Sequence, residues 1–205
     1  RLELEGYAIR ERLAVGRHLL LRAIRLADGR PVVLKVPTDA LERGRAAARL
    51  RLELEIAGRL PADAVVRPLD LIPHGESGAL VFEDLDGRSL GGLVGRPLPL
   101  SELLPLAIGL AGGLASIHEA GVLHRDCKPE NALLLPDGSV RWTDFGNAIR
   151  ARSSPGGGAG IGTLAYAAPE QSGRMNRQVD ARSDLYGLGV TLYELAAGER
   201  PFRSE

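Results

Sequence analysis

The stretch VLHRDCKPENALL, residues 122–134, followed at 143–146 by TDFG, sets two aspartates, a lysine and an asparagine around a short turn. Its Lys128 stands out by composition. Of the 26 lysines and arginines in the 205-residue chain, only Lys35 and Lys128 are lysine. An ammonium is a compact point charge on a flexible stem, whereas a guanidinium is a broad planar fork. A chain that otherwise uses arginine therefore asks for something at two places that arginine does not supply.

The background is that of an ordinary globular protein, 44% hydrophobic and 25% charged, long enough for one domain or two small lobes with a core. Its formal net charge of zero gives no footing for broad attraction to nucleic acid or anionic membranes. Cys127 is the only cysteine, which excludes an internal disulfide framework or a cysteine zinc cluster and fits a reducing, cytoplasmic setting. The uncharged, largely apolar run at residues 103–118 holds four glycines and prolines and falls short of the roughly 20 apolar residues of a membrane span. It reads as a buried helix. The chain opens at Arg1 without a charged-then-apolar leader, and reads as a portion of something longer.

Along the chain, residues 7–15 and 19–26 read as strands, and Asp28-Gly29 as a hairpin turn into the β-branched strand PVVLKV at 31–36. Residues 38–60 read as a helix with Leu41, Ala48, Leu52 and Ile56 near one face. Two more strands at 65–72 and 79–83 complete a five-stranded sheet ending near Leu85. Beyond it, Ser101 is placed to cap a helix reaching Glu119 and stopped by Gly121. Residues 132–135 and 140–143 form a hairpin around Pro136-Asp137-Gly138. The run SSPGGGAGIG at 153–162 reads as a mobile loop. Residues 184–197, apolar nearly all round, read as a central helix needing cover on every side.

VVLK at 32–35, a helical acid at Glu53, HRDxKPEN at 124–131, DFG at 144–146, GTxxY at 162–166, APE at 168–170 and an aspartate in RSDLYGLGV at 182–190 occur in one order. This set resembles the motifs of eukaryotic-type Ser/Thr protein kinases over essentially the whole chain. The resemblance implies an α+β, bilobal fold: a β-rich N-lobe with one helix over residues 1–85, and a mainly helical C-lobe over 86–205 that is incomplete beyond its central helix. APEQSGRMNRQVDARSDLYGLGVTLYEL at 168–195, with GRMNR its specific part, further resembles kinase modules at the N-terminus of large bacterial sensor proteins that also carry a histidine kinase.

The implied activity is transfer of the ATP γ-phosphate to serine or threonine of a protein substrate, with Mg²⁺, in bacterial signalling. Asp126 takes the substrate proton, Asn131 and Asp144 hold metal through hard oxygens, and Lys128 sits against the γ-phosphate. Lys35 binds the α/β-phosphates and is held by Glu53, in preference to Glu55. Leu20 and Val33 cover the adenine, Leu133 lies below it, Phe82 is the gatekeeper, and backbone groups of Glu83 and Leu85 pair with its edge. Both lysines of the chain thus fall on phosphate contacts. Lys128 favours Ser/Thr over Tyr acceptors. Arg125 implies control by activation-loop phosphorylation, with Ser153 and Ser154 as acceptors. Further signalling domains in a longer polypeptide are the expected partners, with neither nucleic acid nor a membrane span in this chain.

Two departures accompany the match. Leu13, Val15 and His18 stand where the family's loop carries glycines, leaving Gly16 alone, so backbone N–H groups cover the phosphates less closely. The acid Glu170 lacks the arginine that a later helix supplies in the family. The alternative from another class is a pseudokinase, a nucleotide-binding or scaffolding input module. A small-molecule phosphotransferase is disfavoured because GTLAYAAPE resembles a protein-substrate platform.

Overall fold

The first third of the chain forms β1 (Tyr7–Val15), β2 (His18–Arg25) and β3 (Pro31–Pro37), followed by α1 (Arg43–Ala57), β4 (Pro68–Ile72) and β5 (Ala79–Glu83). The computed structural model describes residues 4–38, 43–151, 163–172 and 177–202. It divides into two compact units, Arg1–Arg59 with Val66–Leu85, and Leu60–Val65 with Asp86–Glu205.

In the first unit an antiparallel sheet runs in the order β1-β2-β3-β5-β4. The period-2 alternation of β3 sends Val32, Leu34 and Val36 to one face, where they pack with Leu21, Ala23 and Val81 in a core closed by Leu4 and Ala79. Register puts Lys35 opposite both Leu20 and Leu80, and Val33 opposite both Arg22 and Phe82. These residues share the other face. Helix α1 buries Ala46, Ala47, Leu50, Glu53, Ile56 and Ala57. Of the face expected from sequence only Ile56 is buried; Ala48 is exposed, Leu52 half-buried, and Leu41 lies outside the described residues. The cause is Glu53, which turns inward with its neighbours one residue away. The strand expected over 65–72 is shorter too, because Val65 makes a parallel bridge with Trp142 in the second unit.

The second unit contains β6 (Arg88–Ser89), α2 (Leu100–Glu119), β7 (Val122–Leu123), β8 (Ala132–Leu134), β9 (Val140–Trp142), β10 (Ile149–Arg150) and α3 (Ala181–Ala197). The three-stranded order is β6-β8-β9, and β10 pairs with β7. The mixed α+β fold class expected from sequence is thus what is found. Ser101 does not cap α2: it lies inside the first turn, and Pro99, with φ −65°, occupies the cap while its carbonyl accepts from Glu102 and Leu103 N–H. Nor is α2 buried all round. It is long and apolar enough, by length and composition alone, to cross a membrane, at mean hydropathy 1.6. It seats one stripe, Leu106, Leu110, Leu114 and Ile117, in the unit and leaves Leu100 and Ile108 exposed. Two glycines face that seat: a Cβ on Gly109 would meet Val140 Cγ2 at 2.5 Å, and one on Gly113 would meet Trp142 Cδ1 at 3.2 Å. The buried Trp142 indole N–H donates to Leu110 O at 3.0 Å.

Helix α3 starts three residues before the expected Asp184, because Asp180 caps it by accepting from Arg182 N–H at 2.9 Å. It is one-sided as well, burying Leu188, Val190 and Leu195 while Leu185 and Tyr193 are about half exposed at 54% and 49%. Its inner face presses on the segment at 124–131. Thr191 Oγ1 donates to Cys127 O at 3.3 Å, and a Cβ on Gly187 would sit 3.0 Å from the same oxygen.

Two outcomes follow from this contact. Gly189 in mid-helix has open space around it, so Gly189→Ala stabilises by about 0.5–1 kcal/mol, whereas Gly187→Ala destabilises by about 1–3 kcal/mol, measured by urea unfolding. Burial pushes the Cys127 thiol well above its ordinary range, so alkylation by iodoacetamide is blocked in the folded protein and appears only on unfolding.

Candidate active site

Each unit carries a cluster of polar groups. In the first, Lys35 Nζ donates to Glu53 Oε2 at 2.6 Å, with side-chain exposures of 6% and 1%. The strand fixes the lysine and the helix the acid. Two charges this deep are each strongly dependent on the other, since removing one leaves the second buried and uncompensated at a cost of about 3–5 kcal/mol.

On the same sheet face Leu20 and Val33 are half-buried and Phe82 is buried, while Glu83 is exposed and Leu85 half-buried. The structure therefore gathers Leu20, Val33, Lys35 and Phe82 on one face by register, with Glu83 and Leu85 at the end of β5 and just past it. Sequence reasoning missed Arg22. Its guanidinium reaches Asp84, between those two residues, at 2.6 Å, and Glu11 at 3.2 Å. The β1–β2 tip is a two-residue turn, Gly16-Arg17, whose carbonyls accept from Thr38 Oγ1 at 2.7 and 2.9 Å.

In the second unit the segment at 124–131 folds around its own carboxylate. Asp126 Oδ1 accepts from Thr163 N–H at 2.8 Å, and Oδ2 accepts from Asn131 Nδ2 at 3.0 Å and lies 3.2 Å from Lys128 Nζ. Lys128 Nζ also donates to Thr163 Oγ1 at 2.6 Å, closing a ring through the three residues. Asn131 Nδ2 donates again to Asp126 O at 2.9 Å, so the amide nitrogen is committed and the side-chain oxygen is left as a hard donor. Thr143 N–H donates to Asn131 O at 2.9 Å, tying Asn131 to the strand end from which Asp144 follows. Leu133 lies half-buried on β8 against Gly87, where a Cβ would come within 2.6 Å of it.

Two side chains stand on left-handed backbone here, Arg125 at φ +66° and Asp144 at φ +64°. Each such non-glycine residue costs of order 1–3 kcal/mol and persists only where its surroundings hold it. For Arg125 the holder is Asp184, 1% exposed, which accepts from Arg125 N–H at 2.6 Å, His124 N–H at 2.8 Å and His118 Nε2 at 2.8 Å. His124 packs against Phe145 at 4.6 Å between ring centroids. Its Nδ1 accepts from Asp126 N–H at 3.3 Å and its Nε2 faces Thr143 O at 3.0 Å, which selects the tautomer protonated on Nε2.

Glu170 accepts from Ser183 Oγ at 2.6 Å, a neutral partner and not the arginine that the resemblance implies for this acid. Beside it Gln171 bridges Ala168 N–H and Arg125 O. Tyr166 donates its hydroxyl to Glu194, and burial, with that bond second, holds the phenol above its ordinary range. Apart from Gln171 with Ala168, three positions away, these pairings have no sequence signal, because their members lie 13 to 46 positions apart. Ser153 and Ser154 lie outside the described residues.

The model of the protein kinase domain matches residues 19–205. The chain is 37% identical over 206 residues to serine/threonine-protein kinase PknL of Mycobacterium bovis, covering 97% of this chain and 51% of that protein. It is 38% identical to serine/threonine-protein kinase pkn2 of Myxococcus xanthus and 40% identical to the DNA damage-responsive kinase RqkA of Deinococcus radiodurans, covering 85% of this chain and 22% and 27% of theirs. The chain thus spans about half the length of the mycobacterial relative and less of the others. By the extent of these matches it belongs to the protein kinase domain family.

Proposed function

We propose that the protein transfers the γ-phosphate of ATP to a serine or threonine hydroxyl of a protein substrate. The observation that carries this reading is the ring through Asp126, Lys128 and Thr163, which holds a carboxylate and an ammonium 3.2 Å apart with Asn131 beside them. Asp126 accepts the proton of the acceptor hydroxyl as its oxygen forms a bond to the γ-phosphorus. The bond from that phosphorus to the bridging oxygen breaks, and the electron pair leaves with ADP. Lys128 neutralises charge on the transferring group. Lys35, oriented by Glu53, binds the α/β-phosphates; Leu20, Val33, Phe82 and Leu133 serve the adenine, with backbone groups of Glu83 and Leu85 at its edge.

The donor set fits Mg²⁺, which prefers hard oxygens: Asn131 offers its side-chain oxygen because its nitrogen is spent on Asp126, and Asp144 offers a carboxylate. When bound, the ion neutralises the triphosphate and orients its oxygens.

The two units are read as residues 1–85 and 86–205 of a kinase, the small and the large lobe. The relatives' greater length supports further signalling domains in one polypeptide, and the single buried thiol suits a cytoplasmic setting. A pseudokinase that binds nucleotide without transfer is disfavoured by the presence of Lys35, Asp126, Lys128, Asn131 and Asp144 together.

With radiolabelled ATP and the full-length polypeptide, Asp126→Asn lowers transfer by about 100-fold or more. Equal labelling by wild type and Asp126→Asn removes the enzyme reading. Lys35→Arg and Lys128→Arg, although they conserve charge, each lose at least about 10-fold, because the wide guanidinium does not replace a compact point charge at a phosphate. Full activity in both variants would show that the two lysines carry no such role.

A further inference from the structure

We infer that Gln171 is a positioning residue for Asp126, fixing the peptide group from which that aspartate projects. The inference rests on the transfer reading above. Gln171 is 6% exposed and sits in the short helical turn Pro169–Ser172. Its Oε1 accepts from Ala168 N–H at 2.9 Å, as the acceptor half of a capping box would, and its Nε2 donates to Arg125 O at 2.9 Å. The two partners fix the amide's orientation, since one offers only a donor and the other only an acceptor.

The carbonyl it holds belongs to the Arg125–Asp126 peptide, whose N–H end donates to His124 Nδ1 at 3.3 Å. Both ends of that peptide plane are thus held by side chains. On its other side Arg125 is left-handed, at φ +66°, with its own N–H on Asp184 Oδ1 at 2.6 Å. Rotation of the plane would swing the Asp126 carboxylate, and Gln171 blocks it. The described residues 163–172 therefore grip the aspartate twice: Thr163 N–H holds Oδ1 at 2.8 Å at one end, and Gln171 holds the preceding carbonyl near the other.

A base that must meet a hydroxyl in line tolerates little displacement, about 1 Å costing on the order of 100-fold. The test uses the full-length polypeptide, radiolabelled ATP and a Ser/Thr peptide library, with rates normalised to the nucleotide-binding fraction. Gln171→Met removes both bonds at similar volume; Gln171→Glu keeps the acceptor for Ala168 but sets an oxygen against the Arg125 carbonyl. Both are expected to lower kcat by at least about 10-fold while KM for ATP stays within about twofold. In an Asp126→Asn background Gln171→Met is expected to add no further loss, because it acts through the group already removed. An unchanged kcat in either single variant, or an equal proportional loss in the Asp126→Asn background, overturns the role. If wild type and Asp126→Asn label equally, the transfer reading falls and this role with it. An active wild type with unaffected Gln171 variants removes the role alone.

Discussion

The carboxylate of Asp184 accepts three hydrogen bonds from two places in the chain, the end of α2 at His118 and the successive backbone N–H groups of His124 and Arg125. It sits almost wholly out of water, where an ionised acid is tolerated only with such a set of donors. What the bonds maintain is a left-handed arginine, a conformation the local sequence does not favour. From that one distortion the chain leaves in a direction that brings Asp126, Lys128 and Asn131 to a common point. Packing serves the same end: α3, which carries Asp184, also presents Thr191 and the bare backbone of Gly187 to Cys127 in the next stretch.

The first unit solves a different problem with the same economy of means. A lysine in the middle of a sheet face and a glutamate on the inner side of a helix are both expensive to bury, and each makes the other tolerable. Around them, register does the sorting. Because side chains alternate, a single strand sends its valines at 32 and 36 into a dry core and its lysine to the opposite side.

Much of this was legible in the sequence, for reasons that differ from residue to residue. The strands of the first unit were readable because PVVLKV is rich in β-branched residues and Asp28-Gly29 marks a turn before it. The grouping of Asp126, Lys128 and Asn131 was readable because they lie within six positions of one another, a spacing that survives any tertiary detail. The inner face of α1 was misjudged because alanine and leucine recur so often between 46 and 57 that apolar periodicity alone selects no unique side. Helix α3 was begun too late because its cap, Asp180, looks like any loop acid until its carboxylate is seen on Arg182 N–H. Ser183 with Glu170, Gln171 with Arg125 and Arg22 with Asp84 were invisible for a deeper reason: each is a meeting of distant positions, and nothing in one member names the other.

The ambiguity in α1 belongs to the molecule as well as to its reader. Successive positions on a helix point about 100° apart, so Leu50 and Leu52, two positions apart, look to nearly opposite sides, and hydrocarbon alone does not choose the face turned to the sheet. Only the roll that turns Glu53 inward is compensated, by the ammonium across from it. The roll found is the one in which that buried charge is compensated, so the ammonium of Lys35, acting through Glu53, fixes which hydrocarbon the helix turns to its sheet.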